Sequence, residues 1–151
     1  EAVKNFKGLE HRTEFVREIN GVKYFNDSFS TNPVPTIAAI RSFKSPVTLV
    51  VGGSEKGADF AHMAEEIKKS SVKNIIFIGL EGPKIRKSVE EANVEAQLFD
   101  GLRDINSIVK KASEITESGG IVLFSPACAS FDMFKNYKDR GNKFKEAVNC
   151  L

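Results

Sequence analysis

Three stretches of the chain carry hydroxyl, amide and charged side chains at the ends of β-prone runs. They are Asn26-Asp27-Ser28-Phe29-Ser30-Thr31-Asn32, Gly52-Gly53-Ser54-Glu55-Lys56-Gly57-Ala58-Asp59 and Ser125-Pro126-Ala127-Cys128-Ala129-Ser130. The last follows the apolar run Ile121-Val122-Leu123-Phe124 and leads into a segment with Tyr137, Gly141, Phe144, Val148 and Leu151 on one helical face. A strand that turns through small residues into a helix gathers free backbone N–H groups and hydroxyls at one point. Such a point suits a carboxylate or a phosphate. Ser130 is expected to cap that helix, with Asp132 in its first turn favouring the positive end.

Each stretch also has a purely structural reading. Asp27, Ser28 and Asn32 suit turns and N-caps, and the glycine loop suits a tight turn with Lys56 solvated. Phe131, Phe134 and Tyr137, read by type alone, are expected in a core rather than as ligand contacts. Cys128 has no histidine near it in sequence to make a nucleophile pair. His62 sits among helical charges and is expected to be exposed. His11, in Gly8-Leu9-Glu10-His11-Arg12, stands beside a guanidinium and could meet a phosphate or a nucleotide ring, which the sequence alone leaves open. The glycine loop lacks the G-x-G-x-x-G spacing of dinucleotide folds. The nearest imitation of a P-loop, at Lys87-Ser88, has Arg86 and Glu81 where glycines belong.

The elements that must position these groups alternate. Glu14 to Ile19 and Val22 to Asn26 flank Asn20-Gly21, the dipeptide of a type I′ hairpin turn. Val47 to Val51, Asn74 to Ile78, Ala96 to Phe99 and Ile121 to Phe124 are short strands, three of them nearly continuous in apolar residues, as strands covered on both faces are. Between them, Phe60, Met63, Ala64 and Ile67, and Ile105, Ile108, Val109 and Ala112, recur at helical spacing. Ile85, Val89 and Ala92 mark another helix with Pro83 in its first turn, and Ile37, Ile40 and Phe43 one entered through Asn32-Pro33. The pattern predicts an α/β fold of about six strands, mainly parallel, with helices on both faces and one antiparallel edge strand from the hairpin. In such a sheet ligands bind beyond the carboxyl ends of the strands, where all three polar stretches fall.

Size and charge narrow the classes. The chain has 151 residues, suited to a single domain, and a net charge of +2 without a basic block interleaved with aromatics, so nucleic-acid binding has little support. No apolar run approaches the ~20 residues of a membrane span, and no secretion signal is visible. Two distant cysteines and two histidines offer no metal-ligand spacing. The start at Glu1 has no initiator Met and reads like the end of a helix, so a fragment of a longer protein is expected.

Taken together, Gly8-Leu9-x-His11-Arg12, Asn26-Asp27-Ser28-x-x-Thr31-Asn32, Gly52-Gly53-x-x-Lys56-Gly57-Ala58-Asp59-Phe60, Ser125-Pro126-Ala127-Cys128-Ala129-Ser130, Phe134-Lys135-Asn136 and Arg140-Gly141 resemble the C-terminal domain of the Mur ligases over essentially the whole length. The likeness is nearest to the members that add D-glutamate in peptidoglycan synthesis. It implies a Rossmann-like third domain that binds the amino acid, with the UDP-sugar domain and the central ATPase domain lying outside this chain. It implies a D-glutamate pocket of Thr31, Lys56, Ser130, Phe131 and Tyr137, and a nucleotide-facing set of His11, Arg12 and Asp27. No complete catalytic set or metal site is implied here. ATP and Mg would be held mainly by the central domain, the partners would be D-glutamate, UDP-N-acetylmuramoyl-L-alanine and ATP, and the location cytoplasmic. The chain alone is expected to be inactive. Phe29 stands where many members carry Lys, and Ser54 where a carboxylate is common. The absence of an Asp-Asn-Pro-Arg-like box favours glutamate over a diamino acid. The alternatives are another Mur ligase, a folylpolyglutamate synthase domain, or a non-catalytic binder of small anions or nucleotides.

Overall fold

Burial divides the chain's apolar residues between two faces of one sheet. The computed structural model describes residues 8–54 and 57–151. The strands are β1 (Glu14–Ile19), β2 (Val22–Asn26), β3 (Val47–Gly52), β4 (Val72–Ile78), β5 (Gln97–Phe99) and β6 (Ile121–Phe124). The helices are α1 (Pro33–Arg41), α2 (Ala61–Lys68), α3 (Gly82–Glu91), α4 (Ile105–Ile115) and α5 (Tyr137–Asn149). The six strands run in the order β1-β2-β6-β3-β4-β5. Only the edge pair β1–β2 is antiparallel; β2–β6, β6–β3, β3–β4 and β4–β5 are parallel.

The side-chain period of two sorts the central strands. Leu49 and Val51 point to the layer of α1, α2 and α3, where they meet Ile37, Ile40, Met63, Ile67, Ile85 and Val89. Val50 points the other way, to α4 and α5, with Ile108, Val109, Phe144 and Val148. Every residue of β3 and of β6 is buried, which is why neither alternates in sequence. The hairpin turn has φ of 51° at Asn20 and 79° at Gly21, both in the left-handed region its type requires. Gly52 is required by crowding, because a Cβ there would lie 1.9 Å from the Ile78 carbonyl oxygen.

The fold class agrees with the sequence expectation, and one element departs from it. Helix α5 begins at Tyr137, not at Ser130. Its N-cap is Asn136, whose side-chain oxygen accepts the Asp139 N–H at 2.8 Å. The Ser130 carbonyl accepts the Phe134 N–H at 2.9 Å, but that turn is not continued. Asp132 lies outside the helix, its Oδ2 taken by the Leu80 N–H at 3.0 Å. Tyr137 is therefore not two turns beyond Ser130 on one helix, and Leu151, past the Cys150 C-cap, is exposed.

Candidate functional site

The three polar stretches do meet at the carboxyl edge of the sheet. Parallel pairing of β6 with both β2 and β3 brings the loops after these strands side by side. Backbone bonds then fasten them. The Gly52 N–H donates to the Pro126 carbonyl and the Ser54 N–H to the Ala129 carbonyl, each at 2.8 Å, and the Asp27 N–H donates to the Phe124 carbonyl at 2.8 Å. Thr31, Asn32, Ser54, Ala58, Phe60, Glu81, Ala127 and Cys128 line one small cavity of about 30 Å³.

Thr31 is half-buried in that cavity, placed by a turn closed from Ser30 N–H to the Asp27 carbonyl at 3.0 Å and by the Asn32 cap on Val34 at 3.1 Å. Lys56 lies outside the described residues, as does Glu55. Ser130 is buried next to the Ser54–Ala129 bridge but does not line the cavity. Phe131 is 71% exposed, so it is not core. Tyr137 is half-buried, with its ring 5.0 Å from that of Phe29 and edge-on to it.

The residues singled out for nucleotide contact divide. Arg12 is exposed, its guanidinium 4.9 Å from the centre of the Phe29 ring, so that Phe29 forms a shelf under a cation. Asp27 is buried and fully engaged within the chain. Its Oδ1 accepts the Thr13 N–H at 2.9 Å and the Thr13 hydroxyl at 3.3 Å, and its Oδ2 accepts the hydroxyls of Ser30 and Ser125 at 2.5 and 2.6 Å. His11 is 3% exposed; its Nδ1 is 2.9 Å from the Asn26 amide nitrogen and its ring meets Tyr137 edge-on at 6.0 Å. Burial holds its pKa below the usual histidine value, against the pull of Glu10. A Cβ on Gly141 would stand 2.1 Å from His11 Nδ1, so the glycine of the Arg140-Gly141 pair makes room for the imidazole.

The residue that the sequence reading missed is Arg140 itself. It is 1% exposed, and its guanidinium donates to the Ser28 hydroxyl at 2.9 Å, the Ser28 carbonyl at 2.8 Å and the Cys128 carbonyl at 2.9 Å. It thereby ties the loop after β2 to the loop after β6. Desolvation pushes its pKa down to about 10, which leaves it charged at neutral pH. Among the described residues no carboxylate lies within 4.0 Å of it, so a fixed positive charge sits beneath the site. A default expectation of solvent for any Arg hides such a residue; its place in a motif with Gly141 was the one available signal. A larger groove of about 550 Å³ lies between the β4–α3 turn and the β5–α4 loop, lined by Leu80, Arg86, Leu102, Arg103 and Met133 among others, and holds none of the candidate site residues.

The family model described as Mur ligase, glutamate ligase domain, matches residues 11–128. The chain belongs to the Mur ligase family. Among curated relatives it is 45% identical over 152 residues to the UDP-N-acetylmuramoylalanine--D-glutamate ligase of Clostridium novyi, covering 97% of this chain and 32% of that protein. It is 43% identical over 149 residues to the enzyme of the same name from Caldanaerobacter subterraneus, covering 99% and 33%. The chain thus spans about a third of the length of these relatives. Among solved structures, the UDP-N-acetylmuramate-alanine ligase of Thermotoga maritima superposes at a TM-score of 0.65 with 12% identity, over 99% of this chain and 32% of that one. The bifunctional folylpolyglutamate synthase/dihydrofolate synthase of Yersinia pestis does so at 0.56 with 20% identity, over 82% and 30%. At these identities the two structures show a shared fold, and the α/β three-layer architecture agrees with it.

Proposed function

We propose that this chain is the amino-acid-binding domain of a UDP-N-acetylmuramoyl-L-alanine–D-glutamate ligase, a cytoplasmic enzyme of peptidoglycan synthesis with two further domains. The observation that carries the reading is the convergence of three separate loops at one edge of the sheet, where Thr31, Ser54 and Cys128 border a common cavity large enough for about one water. In this reading Thr31, Lys56, Ser130, Phe131 and Tyr137 surround D-glutamate, with the Lys56 ammonium and the hydroxyls meeting its carboxylates. Arg140 adds a buried positive charge under the loops. Arg12 faces the nucleotide across the domain interface, and Asp27 and His11 serve it by holding its loop in place.

The reaction joins a carboxylate to an amine. ATP phosphorylates the lactyl-alanine carboxylate of the UDP-sugar to an acyl phosphate, releasing ADP. The amine of D-glutamate, having lost its proton, attacks the acyl carbon, and the tetrahedral intermediate expels phosphate to leave the amide. What this domain supplies is an oriented amine and, on closure, exclusion of water from the acyl phosphate. A folylpolyglutamate synthase/dihydrofolate synthase solved with Mn, AMPPNP and L-glutamate bound shares the fold at a TM-score of 0.56, which supports nucleotide, divalent cation and amino acid as the ligand set. Mg and the triphosphate are assigned in this reading to the central domain, as the family resemblance implies. No described helix is long and apolar enough to cross a membrane.

The test is kinetic, in the full-length enzyme. Lys56→Ala and Thr31→Ala should each raise the D-glutamate KM, the former about tenfold or more, as expected for loss of a charge-assisted bond. Their ATP KM should stay put. An unchanged D-glutamate KM in both variants would remove these residues from the pocket.

A further inference from the structure

Helix α3 touches the glycine loop on both of its arms. On the outgoing arm the Glu81 N–H donates to the Gly53 carbonyl at 2.9 Å. The approach is close, because a Cβ on Gly79 would stand 2.8 Å from the Gly53 Cα. On the returning arm the Lys84 ammonium donates to the Ala58 carbonyl at 2.7 Å and lies 5.6 Å from the centre of the Phe60 ring. Glu81 and Lys84 are one helical turn apart, and Lys84 Nζ stands 3.8 Å from Glu81 Oε2. The Lys84 side chain is 48% exposed, yet its ammonium is turned onto a loop carbonyl.

Glu81 itself is unusual. Its side chain is 8% exposed, it lines the cavity shared with Thr31 and Ser54, and its Oε2 accepts no hydrogen bond from the described residues. A buried carboxylate beside a site that receives an acidic guest repels that guest unless a cation compensates it. Among the described residues Lys84 is that cation.

We propose that Glu81 and Lys84 are positioning residues that hold the Gly53 and Ala58 arms of the glycine loop and set the charge beside them, and thereby set the affinity for the incoming amino acid. This rests on the reading of this edge of the sheet, with the small cavity at its base, as the amino-acid site. Lys84 acts twice, as the clasp on Ala58 and as the counter-charge of Glu81. Removing the ammonium frees the returning arm of the loop and leaves the pocket more negative. Removing the Glu81 charge as well relieves the second effect and not the first.

The experiment uses the full-length ligase with Lys84→Met, Lys84→Arg, Glu81→Gln and the Lys84→Met/Glu81→Gln double variant, each assayed for D-glutamate and ATP separately. Lys84→Met should raise the D-glutamate KM about fivefold or more, on the scale of one charge-assisted hydrogen bond, with kcat and the ATP KM within about twofold. Lys84→Arg should restore most of the affinity, and the double variant should recover part of it. Should Lys84→Met not fold, Lys84→Gln takes its place. A D-glutamate KM within about twofold of the parent, a parallel rise in the ATP KM, or no recovery in the double variant would overturn the proposal. Lys56→Ala separates the two levels. If it raises the D-glutamate KM while Lys84→Met does not, only the positioning role falls; if neither moves it, the pocket assignment falls too.

Discussion

At the scale of single residues, Arg140 shows how a surface-type side chain becomes an interior support. Its planar fork donates to the Ser28 hydroxyl, the Ser28 carbonyl and the Cys128 carbonyl, at 2.8–2.9 Å. Lysine has the charge but offers a point donor on a flexible stem, which cannot meet three acceptors laid out for a guanidinium. Burying a cation is costly, and the return here comes from carbonyls that would otherwise be orphaned between two loops. Arg140→Lys should therefore destabilise the chain by about 3 kcal/mol, on the scale of hydrogen bonds to a charged group, and should do so in urea unfolding followed by circular dichroism. A loss below about 1 kcal/mol, the worth of one ordinary hydrogen bond, would mean that the fork is not what holds the two loops together.

At the scale of elements, His11 joins the segment before β1, the end of β2 and the start of α5 through Asn26, Tyr137 and Gly141. Burial favours its neutral form, so its folded pKa lies below the unfolded value near 6.5. The unfolded chain then binds the extra proton first. Stability is full above the unfolded pKa and falls as pH drops through the folded one. Thermal melts should show a decline in Tm between pH 7.5 and 5.5 that flattens in His11→Gln; an unaltered slope in that variant would assign the decline to other groups. This joint was not legible in sequence, because a histidine next to Arg12 looks like a ligand group until Gly141, far along the chain, is seen making room for it. The hairpin was legible, since Asn20-Gly21 dictates its own turn, and so were the doubly covered strands, since burial on both faces removes alternation. The start of α5 was not. Ser130 and Asn136 are both good caps, and the choice fell to the long-range bond between Asp132 and the Leu80 N–H, which draws the intervening segment onto the β4–α3 turn. The convergence of the polar stretches could be read from the sheet rule alone. That Asp27 spends its carboxylate inside the chain could not, because its donors Thr13, Ser30 and Ser125 come from three different segments.

At the scale of the whole molecule, the carboxyl edge of the sheet is unfinished. Phe131 and Leu80 are each 71% exposed there and Phe29 is 42% exposed, with Arg12 lying over it. Scattered apolar side chains on a surface mean little, but these rim the loops that form the cavity. In the proposed ligase the acyl phosphate and the nucleotide would be brought by further domains; the chain spans about a third of the length of its curated relatives. The domain then holds half of a site, and half a site pays the ordering cost of its ligand without the closing contacts that offset it. The 151-residue chain should accordingly bind D-glutamate with a Kd of roughly millimolar or weaker, seen as shifts confined to residues around Thr31 and Ser54 in an NMR titration, and should turn over no ATP. D-alanine, which lacks the second carboxylate, should leave those resonances unmoved at equal concentration. Shifts of equal size for both amino acids would show that the rim reads only an amine and a single carboxylate. ATP hydrolysis by this chain would contradict the proposed division of labour between domains.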